Sequence, residues 1–265
     1  MPQLHWYQQL FTRRMLICVF TGFSSGLPLY LLLNLVPAWL KTEHIDLKAI
    51  GLLSLVQFPY TWKFIWSPFI DRFPILGLGR RRGWMLASQL ALILAIAAMG
   101  FLSPQTSLWS IAYLAFGVAF FSASQDIVLD AYRREILSDQ ELGLGNSVHV
   151  NAYRIAGLVP GSLSLIMADH LPWHWVFPIT ALFMLPGLML TLVCKEPAAT
   201  RAPKTLREAV VEPFHEFMQR QGVQNALLIL AFIFLYKLGD SMATSLATPF
   251  YQDIGFSKTE IGLIA

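Results

Sequence analysis

Ser122-Ala123-Ser124-Gln125-Asp126-Ile127-Val128-Leu129-Asp130-Ala131-Tyr132-Arg133-Arg134-Glu135 closes an apolar run that begins near Leu108. Asp126 and Asp130 stand four residues apart, so on a helix they share one face. Both fall at the end of a segment that otherwise reads as lipid-embedded. A carboxylate at the bilayer centre costs roughly 2.5–3.5 kcal/mol on insertion scales, and less toward the interface. The two acids therefore need partners, contact with water, or a task.

Composition supplies the context. The 265 residues are 55% hydrophobic and only 13% charged, where a soluble domain carries about 25% charged residues. The class is an all-α polytopic membrane protein. No nucleotide loop, catalytic triad or metal-ligand spacing stands out. We expect no enzyme activity, no cofactor, no metal and no nucleic-acid partner. Cys18 and Cys194 lie far apart at apolar positions and read as buried free thiols. The first apolar run follows Arg13-Arg14 and is long enough to span, so a cleaved leader is not expected.

The hydropathy pattern predicts spans at about 15–40, 47–70, 84–102, 108–131, 144–168, 175–194 and 223–252. Residues 1–14 form an N-terminal tail, 15–194 a six-helix bundle, 195–222 a polar linker, and 223–265 helix seven with the start of helix eight. The linker carries a short amphipathic helix at 205–220. Asp46 is placed to cap span two. Ser257-Lys258-Thr259-Glu260 is a capping box opening helix eight. Pro178 and Pro186 predict bends in span six. The run from Gly22 to Pro28 suits close helix packing or a cavity-lining kink. In the second case Asn34, one turn before Pro37, points at the cavity. Thirteen of the nineteen Lys and Arg fall in the N-terminal tail, loops two and four, and the linker. Those segments are therefore expected on the cytoplasmic side.

A repeat orders these spans. Pro37 ends span one and Ile50-Gly51-Leu52 opens span two. Pro249 ends span seven and Ile261-Gly262-Leu263 opens helix eight. The offsets are 212 and 211 residues. Two six-helix halves joined by a long linker is transporter architecture. Helix eight has barely two turns before Ala265, whereas a spanning helix needs about 20 residues. The sequence is thus expected to be a fragment.

Ser67-Pro68-Phe69-Ile70-Asp71-Arg72 followed by Gly79-Arg80-Arg81-Arg82-Gly83 resembles the signature between helices two and three of the major facilitator superfamily. Ser67 stands at a glycine position of that signature, and Phe73 to Leu78 is an insertion. Within it, the chain resembles the AmpG-type muropeptide permeases of the bacterial inner membrane. Gly22-Phe23-Ser24-Ser25-Gly26-Leu27-Pro28-Leu29, Ile45-Asp46-Leu47-Lys48, Lys63-Phe64-Ile65-Trp66-Ser67-Pro68 and Tyr153-Arg154 carry that likeness, with the opening stretch. The resemblance implies proton-linked import (symport) of N-acetylglucosamine–anhydro-N-acetylmuramyl peptides for peptidoglycan recycling, by a monomer in contact with lipid. It also implies a link to β-lactamase induction. Two other readings stand: a carrier of another anionic solute, such as an acyl-CoA or drug-like compound, and a transport-dead membrane fragment.

Import of a sugar–peptide needs cationic partners for its carboxylates and a group that titrates. Arg154, near the middle of span five, either binds a solute carboxylate or pairs with a carboxylate of span four. Lys63 either meets solute or extends to the interface. Lys237 and Asp240 lie three apart on span seven; they neutralise each other and can still line the cavity. Asp126, the deeper acid of the opening stretch, is the candidate for proton coupling, with Asp240 second. Asp126, Arg154 and Lys63 are expected to face one cavity. Asp71, Arg72, Arg80, Arg81, Arg82, Asp130 and Arg134 are expected to form a charged network holding the inner gate. His170 and His174, separated by Pro172, are expected as interfacial anchors, with His149 nearby in span five.

Overall fold

A computed structural model describes residues 11–197, 215, 218–220 and 222–264. Those residues form helices and turns. Five helices are long and apolar enough to cross a membrane: Arg13–Thr42, Arg80–Met99, Pro104–Ile136, Trp173–Val193 and Val223–Asp253. The chain is an all-α multi-pass membrane protein. The expected spans two and five occupy their predicted places but are broken.

Span one runs without interruption through α1 (Arg13–Tyr30), a π-helical turn (Leu31–Leu35) and α2 (Val36–Thr42). Thr12 caps it, accepting from the Met15 amide at 3.3 Å. Pro28 and Pro37 lack an N–H, and the wide turn between them accommodates the lost ladder bonds. The glycine run is a packing face rather than a cavity wall. A Cβ on Gly22 would lie 3.0 Å from the carbonyl carbon of His149, and one on Gly26 3.0 Å from that of Tyr153. Gly26→Val is therefore expected to destabilise the bundle by about 1–3 kcal/mol or more, read as a lowered melting temperature in detergent. The same packing buries His149, whose Nδ1 is 3.4 Å from the Thr21 hydroxyl. His170 and His174 are exposed.

Span two departs from the single helix expected at 47–70. It consists of α3 (Leu47–Leu53), a 3-10 turn (Ser54–Gln57), α4 (Phe58–Trp62), a second 3-10 turn (Lys63–Ile65) and α5 (Ser67–Arg72). Pro59 and Pro68 each remove a ladder donor, which favours these breaks. Asp46 stands at the cap position, but its side chain makes no capping bond.

Spans three and four exceed their predicted lengths at the arginine-rich end. Span three, α6 (Arg80–Met99), takes the arginine cluster into its first turn. Span four, α7 (Pro104–Ile136), kinks at Ser107 and carries Arg133, Arg134 and Glu135 in its last turns. Span five comprises α8 (Leu142–Ala156), a π-helical turn (Val159–Leu163) and α9 (Ser164–His170). Span six comprises α10 (Trp173–Leu182) and α11 (Leu185–Val193); it breaks just ahead of Pro186, while Pro178 lies inside α10.

The core between spans one, three, four, five and six includes Leu31, Leu35, Trp39, Ile96, Ala115 and Phe177. Trp39 meets Phe177 edge-on at 4.8 Å. Both thiols are free and buried. The amphipathic helix expected at 205–220 lies almost wholly outside the described residues. Span seven is α12 (Val223–Asp253), followed by α13 (Lys258–Ile264). The capping box forms as expected: the Ser257 amide donates to Glu260 at 2.8 Å, and the Glu260 amide to Ser257 at 3.2 Å.

Candidate functional site

A cavity of about 460 Å³ opens where span one, span two and α12 meet. Leu29 and Leu33 line it from span one, Gln57, Tyr60 and Thr61 from span two, and Ile233, Lys237, Asp240 and Thr244 from α12. Small-molecule sites occupy roughly 300–1,000 Å³ and combine apolar walls with a few polar groups, as this one does.

A charged cluster sits one helical turn from this lining, because Ser25 precedes Leu29 and Lys63 follows Tyr60 by about a turn. The Ser25 hydroxyl donates to Asp126 Oδ1 at 2.5 Å. Lys63 Nζ lies 3.8 Å from Asp126 Oδ2, an ion pair too long to be a hydrogen bond. The carboxylate is 15% exposed and the lysine 35%. Beside it, Gln125 donates to the backbone and hydroxyl oxygens of Ser24 at 3.0 and 3.1 Å. Ser24-Ser25 of span one thus mates with Gln125-Asp126 of span four. The hydroxyls of Tyr60 and Ser122 are buried without a hydrogen-bond partner among the described residues.

The expected common cavity is met only in part. Lys63 and Asp126 come together beside it, and Lys237 and Asp240 line it, 3.5 Å apart. Arg154 does not line it. Arg154 is exposed and, among the described residues, forms no ion pair with a span-four carboxylate. The reason is register. Tyr153, about 100° around the helix from Arg154, takes the inward position and packs against Tyr30 at 5.6 Å. Asn34 is also outside the cavity lining; its side-chain amide lies where a Cβ on Gly161 would come within 2.9 Å.

At the arginine-rich end, the centre of the network is Arg81. Its guanidinium donates to Asp71 at 2.5 Å and to Glu135 at 2.7 Å. Arg80 reaches Glu135 at 3.1 Å. Glu196, just past span six, accepts from the backbone amides of Arg81 and Arg82 at 2.7 and 3.0 Å. Arg82 donates to the Thr191 and Leu192 carbonyls. These carboxylates offset the unfavourable placement of three arginines in a helix's first turn. Asp130 and Arg134 are not members, contrary to expectation. Asp130, itself exposed, pairs with the largely buried Arg133, and Arg134 pairs with Asp139. Glu135 lies about 140° around the helix from Asp130, and that rotation decides which acid faces Arg81. Arg72 instead lies over the Phe73 ring, 5.6 Å from its centroid. Glu135 and Glu196 were missed because they lie in polar sequence, where an acid needs no explanation.

At the opposite end, Thr259 donates to Asp169 from both its amide and its hydroxyl, at 2.6 Å each, and Lys258 stands 3.3 Å away. Desolvation works to raise the Asp169 carboxyl, but the Thr259 hydrogen bonds and the Lys258 charge outweigh it and hold the group below its ordinary range. A depressed acid stabilises the fold above its unfolded value, about pH 4 for aspartate, and loses that contribution as pH falls through the folded value. The stability difference between wild type and Asp169→Asn is therefore expected to stay flat from about pH 8 to 5 and to shrink below about pH 4. Melting temperatures across that range check it.

Residues 9–265 match the sequence model described as Major Facilitator Superfamily. The chain belongs to the major facilitator superfamily. Within that superfamily it is 52% identical over 259 residues to an uncharacterized protein of Haemophilus influenzae, covering 97% of this chain and 61% of the relative. It is 46% identical over 262 residues to the anhydromuropeptide permease of Escherichia coli K12, covering 97% of this chain and 53% of that protein. A putative transporter, AmpG 3, of Rickettsia prowazekii is 36% identical over 257 residues, covering 92% and 61%. The chain spans between about half and three-fifths of the length of these curated relatives. The resemblance to AmpG-type permeases noted in the sequence is thus matched by relatives that carry that name.

Proposed function

We propose that the protein is a secondary transporter that imports anhydro-muropeptides across the bacterial inner membrane, coupled to protons and working by alternating access. It has no enzymatic role in this reading. The observation that carries the reading is the loose Lys63–Asp126 pair beside a mainly apolar cavity that also presents Lys237 and Asp240. The kinship with a permease named for anhydromuropeptide supplies the solute class.

The chemistry follows from that pair. Lys63 and Lys237 are each partly neutralised by a carboxylate at 3.8 and 3.5 Å. A solute carboxylate competes for each cation. When solute takes Lys63, Asp126 loses its counter-charge in a site poor in water, and its proton affinity rises. One proton then moves from the aqueous phase to Asp126, so solute anion and proton enter together. The break of span two at Lys63–Ile65 gives the lysine a segment that can reorient without disrupting a long helix. The excess of Lys and Arg at the arginine-rich end orients the N-terminus and linker to the cytoplasm. The six-span bundle at 15–194 and the segment from 223 onward are then the two bodies that move against each other.

Uptake of labelled anhydro-muropeptide into proteoliposomes, with and without an inward proton gradient, tests this. Accumulation against a gradient only when protons flow inward is the expected result. Uptake of acyl-CoA in preference to muropeptide would replace the solute assignment, and gradient-independent accumulation would remove the coupling.

A further inference from the structure

Helices α12 and α13 are joined to the first six spans unevenly. Among the described residues, every hydrogen bond or ion pair between them lies at Ser245 or beyond. Gln57 donates to Ser245 at 3.3 Å beside the cavity. Beyond it, Lys41 pairs with Asp253. Ser162 donates to the Gly262 carbonyl, and a Cβ on Gly262 would lie 2.8 Å from the Ser162 carbonyl oxygen. Outermost, Asp169 receives the amide and hydroxyl of Thr259, and Lys258 adds a bond to the Ala168 carbonyl at 2.6 Å. Lys258 also stands over the Trp173 ring at 5.3 Å.

Toward the arginine-rich end, most of α12 from Val223 to Asp240 is exposed. Its ring contact there is Phe234 against Phe58, at 5.5 Å. The side of the cavity away from the arginine cluster is tied shut, and the other side is loosely covered. The positions of two of these partners carry further meaning. Lys41 and Asp253 are separated by 212 residues, the offset of the internal repeat. Equivalent positions of two halves touch only where they straddle the axis relating those halves. Lys41 and Asp253 therefore lie beside the axis that relates the two halves, which runs along the membrane normal.

We propose that Asp169 is the latch of the outer gate. Its carboxylate holds the first turn of helix eight against the end of span five. It releases Thr259 and Lys258 when the cavity opens to the side away from the arginine cluster. This rests on the alternating-access reading above. Both partners are suited to reversible release. Asp169 is 22% exposed and Lys258 16%, so opening completes a hydration already begun rather than stranding a sealed charge. Gly262 permits the close seating of helix eight on Ser162, and the polar clasp at Asp169 keeps that seat occupied.

The test uses accessibility as well as transport. Thr61→Cys places a reporter thiol on the cavity wall in a protein whose two native cysteines are buried. In the Thr61→Cys background, Asp169→Asn and Thr259→Val are each expected to speed labelling by an impermeant thiol reagent from the outer face by about fivefold or more. Asp169→Glu, which retains the charge, is expected to stay near the parent rate. Separately, Asp169→Cys with Thr259→Cys, bridged by a short thiol cross-linker, is expected to block muropeptide uptake, with cleavage of the bridge restoring it. Unchanged labelling in Asp169→Asn and Thr259→Val, or full uptake by the bridged protein, overturns the latch. Labelling needs no solute, so it still reads the latch if wild type fails to transport muropeptide. That failure would count against the proposed function alone.

Discussion

Asp126→Asn is expected to abolish proton-driven accumulation of muropeptide while leaving the protein inserted and monodisperse. Asparagine preserves the size of the side chain and its bond from Ser25, which holds the wild-type carboxylate at 2.5 Å. It cannot take up a proton. The inside-to-outside ratio should then fall to about one, the value set by equilibration, because the acid paired with Lys63 is the one through which an inward proton gradient acts in this reading. Solute exchange at equal concentrations should survive, since Lys63 loses a competitor and keeps its charge. Lys63→Gln is expected to do the converse, weakening solute binding with the acid still present. Retention of uphill accumulation by Asp126→Asn, measured with an imposed pH gradient, would refute the coupling role.

The second large effect lies at the other charged centre. Arg81 and Glu135 are 7% and 11% exposed, and Arg81 also holds Asp71. Removing one partner of a buried charge pair leaves the other unpaired, at a cost of roughly 3–5 kcal/mol. Arg81→Met should therefore lower the melting temperature in detergent by many degrees. The double replacement Arg81→Met with Glu135→Leu should cost less than the two single losses summed, because neither member of the Arg81–Glu135 pair is left buried without the other, although Asp71 and Arg80 each lose a contact. Arg81→Lys should rescue poorly, since Arg81 contacts Glu135 through two nitrogens while a third holds Asp71. Asp130→Asn is expected to cost less than Arg81→Met, because Asp130 is 54% exposed and its loss removes one contact of Arg133, whereas Arg81 holds two acids. Equal effects from Asp130→Asn and Arg81→Met would remove this account of the network.

Both predictions turn on one helix, and they show where linear pattern stops being informative. Hydropathy placed α7 in the membrane and put Asp126 deeper than Asp130, because burying apolar groups and hydrating charges are properties of a segment's composition. The same holds for the seven apolar runs, the capping box at Ser257–Glu260 and the repeat joining Pro37 to Pro249. Each is a local or periodic signal.

Partner choice is a different kind of quantity. It depends on rotation about a helix axis and on which neighbour lies at that angle. Tyr153 rather than Arg154 faces inward because one residue is about 100° of turn. Glu135 rather than Asp130 meets Arg81 for the same reason. Proline marks where a donor is missing in spans two and five, while packing decides where the turn widens or tightens. The clasp of Asp169 on Thr259 joins residues 90 apart in sequence, and no local rule connects them. Length, apolar content and repeat carried the architecture. The ion pair beside the cavity, the arginine network and the closure at Asp169 arose only when six spans and two further helices packed, since each depends on angles and distances between segments that no single segment contains.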